Sequence, residues 1–563
     1  TDWTATRKDL QELGFVDENW SDNRKELISR IANKYLAQKE VSKESIDRMI
    51  ETDLSEMITE DDEEGLTEKL TIGIQSLIEK GFNPARNFWV DVEKRKGKLV
   101  PQMDCAALKR SLQLYGLHKV NINGDKFVGL VNTETKRIRI CEKVEDIREI
   151  LRDICNTNDF IDWTQVSHPK ALIVSASISL QTNQIINVMH SLDDRNIKLY
   201  KHTKNRSCYF FNNGYVEVRK ESIEFKEYSE LPKNVYVYEE SVLDYHFDES
   251  YLSIEFDNDI KDFCFSHFLM RLAGVDPTDY KPTERLTDLH KAIGYLADPW
   301  KDSANSKAIL IEENTLNSEN GGGAGKTVVI KGIGKLAPTV RIDGKSWKKD
   351  KSFHWQSVQR NTRIVFIDDL KNNFDIESLN NDITDGIEIE KKNRDPFSLT
   401  GSEAPKFALA TNYSVNTDAV FLSRRYVRVL VDTYFSKYHT PIDEYKHRFF
   451  DDWKDTDYFK LFSLLFYCVR QYKLTNGLIR STKPTINSKI KTFRQDISHK
   501  EYESTVLNFF TRFFKNIKVN DKEIAETTAY EMRIDFRDRT NISETEITKN
   551  QFGAMVSSWC NVM

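Results

Sequence analysis

A glycine-rich segment, NGGGAGKT, occupies residues 320–327 and follows the short apolar run KAILIEE. Glycine lets the backbone wrap closely around an anion, and successive N–H groups at the start of a helix favour phosphate. Asn320 stands where a glycine usually begins this motif, but Asn tolerates left-handed backbone, so the turn is retained. A flexible linker is the alternative, which the preceding apolar run disfavours.

The predicted nucleotide-binding residues form one continuous stretch: Asn320, Gly321, Gly322, Gly323, Ala324, Gly325, Lys326 and Thr327. In such a loop the Lys326 ammonium reaches the β- and γ-phosphates, and the Thr327 hydroxyl binds Mg²⁺. ATP and Mg²⁺ are therefore the expected cofactors.

The segment TRIVFIDDL contains a second apolar run, at residues 364–367, that ends in Asp368 and Asp369. Such a run is typical of a central parallel strand buried on both faces. Ligands of open α/β sheets bind at the carboxyl ends of the strands. Asp368 is the expected Mg²⁺ ligand beside Thr327, and Asp369 is expected to orient or polarise the attacking water.

A third run, PKFALATNY, predicts another strand, which ends at the amide of Asn412. An amide at this position can hydrogen-bond the γ-phosphate or the lytic water, although an ordinary strand end is the alternative. Farther on, FLSRRYVRV offers Arg424 and Arg425 as arginines that neutralise developing charge from a neighbouring subunit. A surface ion pair is the alternative for them, and the sequence does not choose between the two.

The segment GIEIEKKNRDPFSL alternates with period two on both sides of a basic turn, which predicts a β-hairpin. Its candidate DNA-binding residues are Lys391, Lys392 and Arg394. Cationic tips of this kind can grip phosphates without reading the base sequence. A solvated turn remains an equally open interpretation of the local sequence.

These elements, in this order and spacing, resemble the motor of superfamily 3 helicases, an AAA+ group found in viruses, phages and mobile elements. NGGGAGKT resembles its Walker A loop, IVFIDDL its Walker B strand, GIEIEKKNRDPF its basic hairpin, ALATNY its sensor strand and SRR its arginine. KNRSCYFFNNGYVEV, YLADPW and YFSKYHTPIDEY resemble, less specifically, poxvirus-type primase-helicases. The resemblance implies Lys326, Asp368, Asp369, Asn412 and an arginine as catalytic residues.

The expected fold class is multidomain α/β with an AAA+ P-loop core. The predicted domains are a helical acidic N-terminal region (1–80), a mixed α/β domain (81–250), a helical collar or linker (251–300), the ATPase domain (301–475) and a C-terminal α/β winged-helix-like domain (476–563). The aromatic run at residues 209–211 predicts a sheet core, with a base-stacking platform as the alternative. Residues 81–250 contain no convincing carboxylate pair of the kind that a primase needs.

Composition excludes several other classes. The 563-residue chain has a net charge of −6, so contact with nucleic acid must come from local basic clusters. Its seven scattered cysteines form no C-x-x-C pair, which argues against a zinc site or a disulfide framework and fits the cytoplasm of a bacterial host. No apolar run is long enough to span a membrane, and no secretory signal is apparent. The chain begins with Thr1, so an upstream domain stays open.

The function predicted from the sequence is an ATP-dependent DNA helicase of phage or mobile-element replication. The resemblance implies a hexameric homo-oligomeric ring that moves 3′ to 5′ on single-stranded DNA, with a primase or other replication proteins as further partners. The alternative is a nucleotide-switched replication initiator that melts or loads DNA without processive unwinding.

Overall fold

The computed structural model describes residues 89–94, 98–103, 105–122, 124–157, 180–256, 258–314, 323–347, 353–371, 374–392, 396–413, 415, 420–483, 485–497, 499–516 and 529–562. The predicted acidic region at 1–80 lies outside these residues. The chain divides into two units: residues up to Tyr200 with Tyr228–Glu240, and Lys201–Glu227 with Ser241–Met563. No helix in the described ranges is both long and apolar enough to cross a bilayer.

The strands are, in chain order, β1 (Trp89–Lys94), β2 (Lys98–Met103), β3 (Leu117–Ile122), β4 (Asp125–Asn132), β5 (Arg137–Cys141), β6 (Asp194–Arg195), β7 (Lys198–Leu199), β8 (Ser207–Phe211), β9 (Gly214–Val218), β10 (Ile223–Lys226), β11 (Val235–Tyr238), β12 (Val242–Leu243), β13 (Ala308–Glu313), β14 (Thr339–Asp343), β15 (Ile364–Leu370), β16 (Gly386–Ile389), β17 (Phe397–Thr400), β18 (Lys406–Thr411) and β19 (Tyr426–Val431).

The helices are α1 (Cys105–Leu114), α2 (Val144–Thr157), α3 (Thr182–Ser191), α4 (Asn258–Lys261), α5 (Cys264–Leu272), α6 (Glu284–Ala297), α7 (Lys326–Gly334), α8 (Asn380–Thr384), α9 (Val420–Ser423), α10 (Pro441–Tyr445), α11 (Asp455–Leu474), α12 (Ile486–Asp496), α13 (Glu503–Asn516), α14 (Ala529–Thr540) and α15 (Lys549–Val562). The molecule is thus a mixed α/β protein.

The smaller unit contains a hairpin of β1 and β2 and a six-stranded mixed sheet of order β6-β3-β4-β5-β11-β7. Strands β3, β4 and β5 form an antiparallel meander, and the short outer strands pair in parallel. Leu112 of α1, Ile147 of α2 and Ile185 of α3 share one buried cluster, so three amphipathic helices pack around a common core.

The larger unit is built on a fully parallel five-stranded sheet of order β14-β15-β18-β13-β19. The predicted strands KAILIEE, IVFIDDL and KFALAT are β13, β15 and β18. Their residues are buried on both faces, apart from the half-buried Asp369, because helices and loops cover both faces of the sheet. β13 lies between β18 and β19, so the loop that follows it opens where the strand order reverses.

One face of this sheet packs against α5, α6, α7 and α11. Ile309 and Ile311 of β13 join Phe268, Leu296 and Phe466 in one buried cluster. The helices at 251–300, predicted as a collar or linker, therefore belong to the core of the same unit as the sheet. Their aromatic and aliphatic side chains gain more burial there than a separate collar would give them.

The aromatic hairpin of β8 and β9 also belongs to the larger unit, which places residues 201–227 and 241–250 outside the domain predicted for 81–250. Tyr209 lies 5.0 Å from Phe466, and Phe211 lies 5.6 Å from Phe462, between ring centroids. The side chains of Tyr209 and Phe211 are both buried. The prediction of a sheet core is confirmed, and these rings are not a base-stacking platform.

The opposite face of the parallel sheet carries α8 and an antiparallel hairpin of β16 and β17. Leu310 and Ile367 share a buried cluster with Trp355, Ile387 and Leu399. Period-two alternation in the strands sends neighbouring side chains to these two different clusters.

The tail beyond residue 476 contains α12 to α15, which bury a cluster that includes Phe493, Phe510, Phe536 and Trp559. An alternation of helix and strand was predicted here, but all regular structure in its described residues is helical. Residues 517–528 lie outside the description, and a winged-helix-like arrangement stays a prediction.

Candidate functional site

The glycine-rich loop leads directly into α7, whose N-cap is Gly325 in left-handed backbone with φ 101°. A Cβ at Gly325 would lie 2.6 Å from Cζ of Phe268, and one at Gly323 (φ 89°) would lie 3.2 Å from the Ser436 carbonyl carbon. The positive φ favours glycine at both positions, and at Gly325 the contact with Phe268 excludes a Cβ as well. Asn320, Gly321 and Gly322 lie outside the described residues.

Lys326, the first residue of α7, is buried, and its ammonium is held by two side chains at the carboxyl end of the sheet. It donates to Oδ1 of Asn412 at 2.7 Å and forms an ion pair with the carboxylate of Glu313. Asn412 follows β18, and Glu313 ends β13. The predicted sensor amide and the loop lysine are thus in direct contact.

Thr327 and Asp368 also meet, because the Thr327 hydroxyl donates to Oδ2 of Asp368 at 3.1 Å. A hydroxyl beside a carboxylate is a pair of hard oxygen ligands that suits Mg²⁺ in a phosphate site. Arg341 of β14 binds the same carboxylate oxygen through NH2 at 2.8 Å. Its side chain is 63% exposed, so it can turn away when another cation arrives.

Asp369 adopts left-handed backbone with φ 58°, at a point where the pairing of β15 with β18 shifts register. An irregularity of this kind turns side chains away from the regular alternation of the strand. The carboxylate of Asp369 forms an ion pair with Lys345, and this hydrogen bond raises the pKa of Lys345. Asp368 is buried beside it, whereas Asp369 is more open.

Arg424 and Arg425 precede β19, at the amino end of the sheet, opposite to the glycine-rich loop. The N–H of Ala308 donates to the Arg425 carbonyl at 2.7 Å, and Lys307 donates to the Arg424 carbonyl. A six-residue strand spans about 17 Å or more, which separates these arginines from Lys326 of their own chain. Arg424 is exposed and Arg425 is half-buried.

The predicted basic hairpin is observed, with Ile387 facing Leu399 and Ile389 facing Phe397 across the pair of strands. Lys391 donates to Oε1 of Gln359 at 2.7 Å and lies 5.4 Å from the centroid of the Phe397 ring. Lys392 is exposed. Arg394, at the tip, lies outside the described residues.

A cavity of about 510 Å³ lies beside the loop and is lined by Arg271, Gly274, Val275, Asp276, Asn314, Asp432, Thr433 and Tyr434. The guanidinium of Arg271 covers the ring of Tyr434 at 4.5 Å. Asn314 directly follows Glu313, so this cavity and the lysine site border the same strand end.

Sequence reasoning missed four residues at this site: Glu313, Arg341, Lys345 and Lys491. The Glu-Glu pair at the end of KAILIEE resembles the Asp-Asp pair of IVFIDDL, because both pairs follow an apolar run. That similarity could have identified Glu313. Lys491 comes from α12, and no local pattern links it to β13. No group of three His, Cys, Asp or Glu side chains suited to a metal occurs among the described residues.

No protein-family model matches the chain, and no curated protein matches it. Among solved structures, the apo C-terminal region of NrS-1 is similar at 12% identity and a TM-score of 0.27, over 63% of this chain and 88% of that one. The JCV helicase with a bound small molecule is similar at 13% identity and a TM-score of 0.17, over 53% and 73%.

A full-length MCM homologue from Methanopyrus kandleri is similar at 9% identity and a TM-score of 0.22, over 62% of this chain and 69% of that one. Likenesses at identities and TM-scores this low support no conclusion about fold or function. The function has to be inferred from the site itself.

Proposed function

We propose that this chain is an ATP-driven motor of the helicase type that acts on single-stranded DNA. The observation that carries the proposal is the convergence of Lys326, Thr327, Asp368 and Asn412, from three separate segments, at one end of a parallel sheet. A lysine, a hydroxyl, a carboxylate and an amide behind a glycine loop are the groups that bind and hydrolyse a nucleoside triphosphate.

Each side chain has a role in this proposal. Lys326 binds the β- and γ-phosphates, Thr327 and Asp368 would hold Mg²⁺, and Asp369 orients the attacking water. Bound Mg²⁺ would neutralise charge on the phosphates. Asn412, already in hydrogen-bond contact with Lys326, is positioned to detect whether the γ-phosphate is present. The adjacent cavity is large enough for the base and ribose.

Assembly into a ring is part of the proposal, because Arg424 and Arg425 lie at the far end of the sheet from their own Lys326. An arginine from this segment can reach a γ-phosphate only in a neighbouring subunit. The hairpin of β16 and β17 would then present Lys391, Lys392 and Arg394 to the DNA backbone. A hexamer, 3′ to 5′ movement and a role in phage or mobile-element replication rest on the resemblance in sequence.

The test is ATP hydrolysis, measured with and without single-stranded DNA. We expect DNA to raise the rate and Lys326→Ala to abolish hydrolysis. The double change Lys391→Ala, Lys392→Ala should remove the stimulation and keep the hydrolysis seen without DNA. Lys331→Ala, an exposed lysine on α7, is the matched control and should behave as wild type.

Hydrolysis that ignores DNA would contradict the motor and favour a nucleotide-switched initiator or assembly platform. Absence of hydrolysis and of ATP binding in the wild-type protein would reject the nucleotide site altogether. A strand-displacement assay on substrates with a 3′ or a 5′ single-stranded tail then tests the direction of movement.

A further inference from the structure

Four charged side chains lie buried together at the carboxyl end of β13. Glu312 and Glu313 are each 1% exposed, Lys491 is 2% exposed and Lys326 is 8% exposed. Two carboxylates and two ammonium groups balance in charge, which is the condition under which buried ions are tolerated. Any ligand that draws Lys326 away disturbs this balance.

The fourth member, Lys491, comes from α12 in the tail. Its Nζ donates to the carbonyl oxygen of Glu313 at 3.3 Å, at the point where β13 ends and the loop begins. Burial lowers the pKa of Lys491, and the carboxylates of Glu312 and Glu313 oppose that shift. Its ammonium therefore lies at the carboxyl end of β13, within electrostatic range of the two glutamates.

The start of the tail is tied to the same sheet, which fixes the position of Lys491. The N–H of Thr482 donates to the Arg428 carbonyl at 2.8 Å, and the N–H of Arg428 donates to Oγ of Ser481 at 3.0 Å. Thr485, the N-cap of α12, donates its hydroxyl to the Asn314 side chain. The tail helix is thus anchored on β19 and on the residue that follows Glu313.

The second glutamate connects the cluster to the sensor. Oε1 of Glu312 accepts a hydrogen bond at 3.0 Å from the N–H of Val415, three residues beyond Asn412. Glu312 and Glu313 therefore contact Lys326, the backbone at Val415 and Lys491 of α12. A change in their charge alters the electrostatic energy of all three contacts.

Bound phosphate creates a conflict within this cluster. When Lys326 turns towards the phosphates, the Glu313 carboxylate loses its counter-charge in a water-poor setting and faces further negative charge. Buried like charges repel strongly because the local dielectric is low. Lys491 is a second ammonium that lies at this strand end.

We propose that Lys491 is a positioning residue of the nucleotide site, which compensates Glu312 and Glu313 so that Lys326 can exchange Glu313 for phosphate. This inference rests on the proposed function. It also gives the tail a role: the position of α12 is coupled to whether the nucleotide site is filled.

The experiment is a double-mutant cycle on Lys491 and Glu313 in the full chain, with ATP·Mg²⁺ binding, KM and kcat as readouts. Lys491→Met should lower kcat/KM by about 10–100-fold, as misplacement of a reactive group does. Lys491→Arg should recover most of the loss. Glu313→Gln should strengthen ATP binding because Lys326 is released.

In the double variant Lys491→Met, Glu313→Gln, the loss relative to Glu313→Gln should be much smaller than the loss that Lys491→Met causes in the wild type, since only the Glu312 carboxylate is left to compensate. The inference would be overturned if the effects of the two single changes on kcat/KM were additive in the double variant, or if Lys491→Met had the kcat/KM of the wild type. Lys483→Met, on an exposed lysine of the same tail, is the control for general effects and should bind ATP as wild type does.

If Lys491→Met does not fold, the test rests on Glu313→Gln alone. ATP binding by Glu313→Gln that is equal to or weaker than that of the wild type then overturns the inference. The outcomes also separate the two proposals. Wild-type protein that binds no ATP rejects the proposed function, whereas ATP binding that does not respond to changes at Lys491 and Glu313 rejects only this inference.

Discussion

The parallel sheet of the larger unit has buried charges at both ends, and the two ends differ in what holds those charges. At the amino end, Lys406 donates to the carbonyl oxygens of Tyr295 and Asp298, and Lys301 donates to those of Ile383 and Pro405. At the carboxyl end, Lys326 is held by the side chains of Glu313 and Asn412.

This difference separates a structural cluster from a functional one. A backbone carbonyl cannot release its partner unless the chain moves, so a buried lysine at the amino end fixes the packing of strands and helices. A side-chain oxygen can be exchanged by rotation about a few bonds. On the proposed function, buried charge therefore serves stability at one end of the sheet and ligand exchange at the other.

Arg424 and Arg425 test the difference between the two ends most severely. They lie at the amino end, where buried charge is proposed to serve stability, but are proposed to act in hydrolysis. We expect Arg424→Ala or Arg425→Ala to lower hydrolysis by about 10³–10⁵-fold through loss of charge neutralisation. Mixing the affected variant with Lys326→Ala should restore partial activity, since some interfaces then combine an intact arginine with an intact lysine. Phosphate release measures both effects, and full activity in both arginine variants would contradict the role.

One side-chain ion pair is also buried at the amino end, remote from Lys326, and we expect it to act on stability. Lys473 donates to Oδ2 of Asp298 at 2.8 Å, and both side chains are almost fully buried. Lys473→Met should lower the free energy of unfolding by about 3–5 kcal/mol, because a buried carboxylate loses its partner. Denaturant unfolding measures this. If Lys473→Met instead hydrolysed less ATP per folded molecule and were as stable as the wild type, the proposed difference between the two ends of the sheet would be wrong.

Lys406 should make stability depend on pH. Burial lowers its pKa from 10.5 to about 7 in the folded chain, so between pH 7 and 10.5 the unfolded chain binds the extra proton. Stability then rises with pH across this window, by up to about 1.4 kcal/mol per pH unit, and is flat below it. The free energy of unfolding is measured against pH for wild type and for Lys406→Met, and the difference between the two isolates the effect of Lys406. The same pH dependence in both proteins would contradict it.

The smallest effect is expected at Arg341, which binds Asp368 from an exposed position. If it competes with Mg²⁺ for that carboxylate, Arg341→Ala should lower the Mg²⁺ concentration for half-maximal hydrolysis by up to about fivefold, in line with exposed ion pairs. A rise in that concentration would show that Arg341 supports the metal site instead. Titration of Mg²⁺ at saturating ATP distinguishes the two.

Local patterns were sufficient for much of the fold of the larger unit. β13, β15 and β18 follow from their apolar runs, the hairpin of β16 and β17 follows from its alternation, and the start of α7 follows from the glycines. These features depend on backbone sterics and on burial of both faces, which neighbouring residues already encode. In the tail, the described residues form helices only, and the predicted α/β winged-helix-like arrangement stays a prediction because short apolar runs do not distinguish helix from strand.

The sequence alone predicted which residues would carry the chemistry: Lys326, Thr327, Asp368 and Asn412 are selected by their type and by their place after apolar strands. Only the tertiary structure decided that Glu313 holds Lys326, that Lys491 of the tail lies at the carboxyl end of β13, and that Arg424 and Arg425 lie at the far end of the sheet. The physical reason is that strand order and helix docking bring together residues distant in sequence, through packing and charge balance that local patterns do not record.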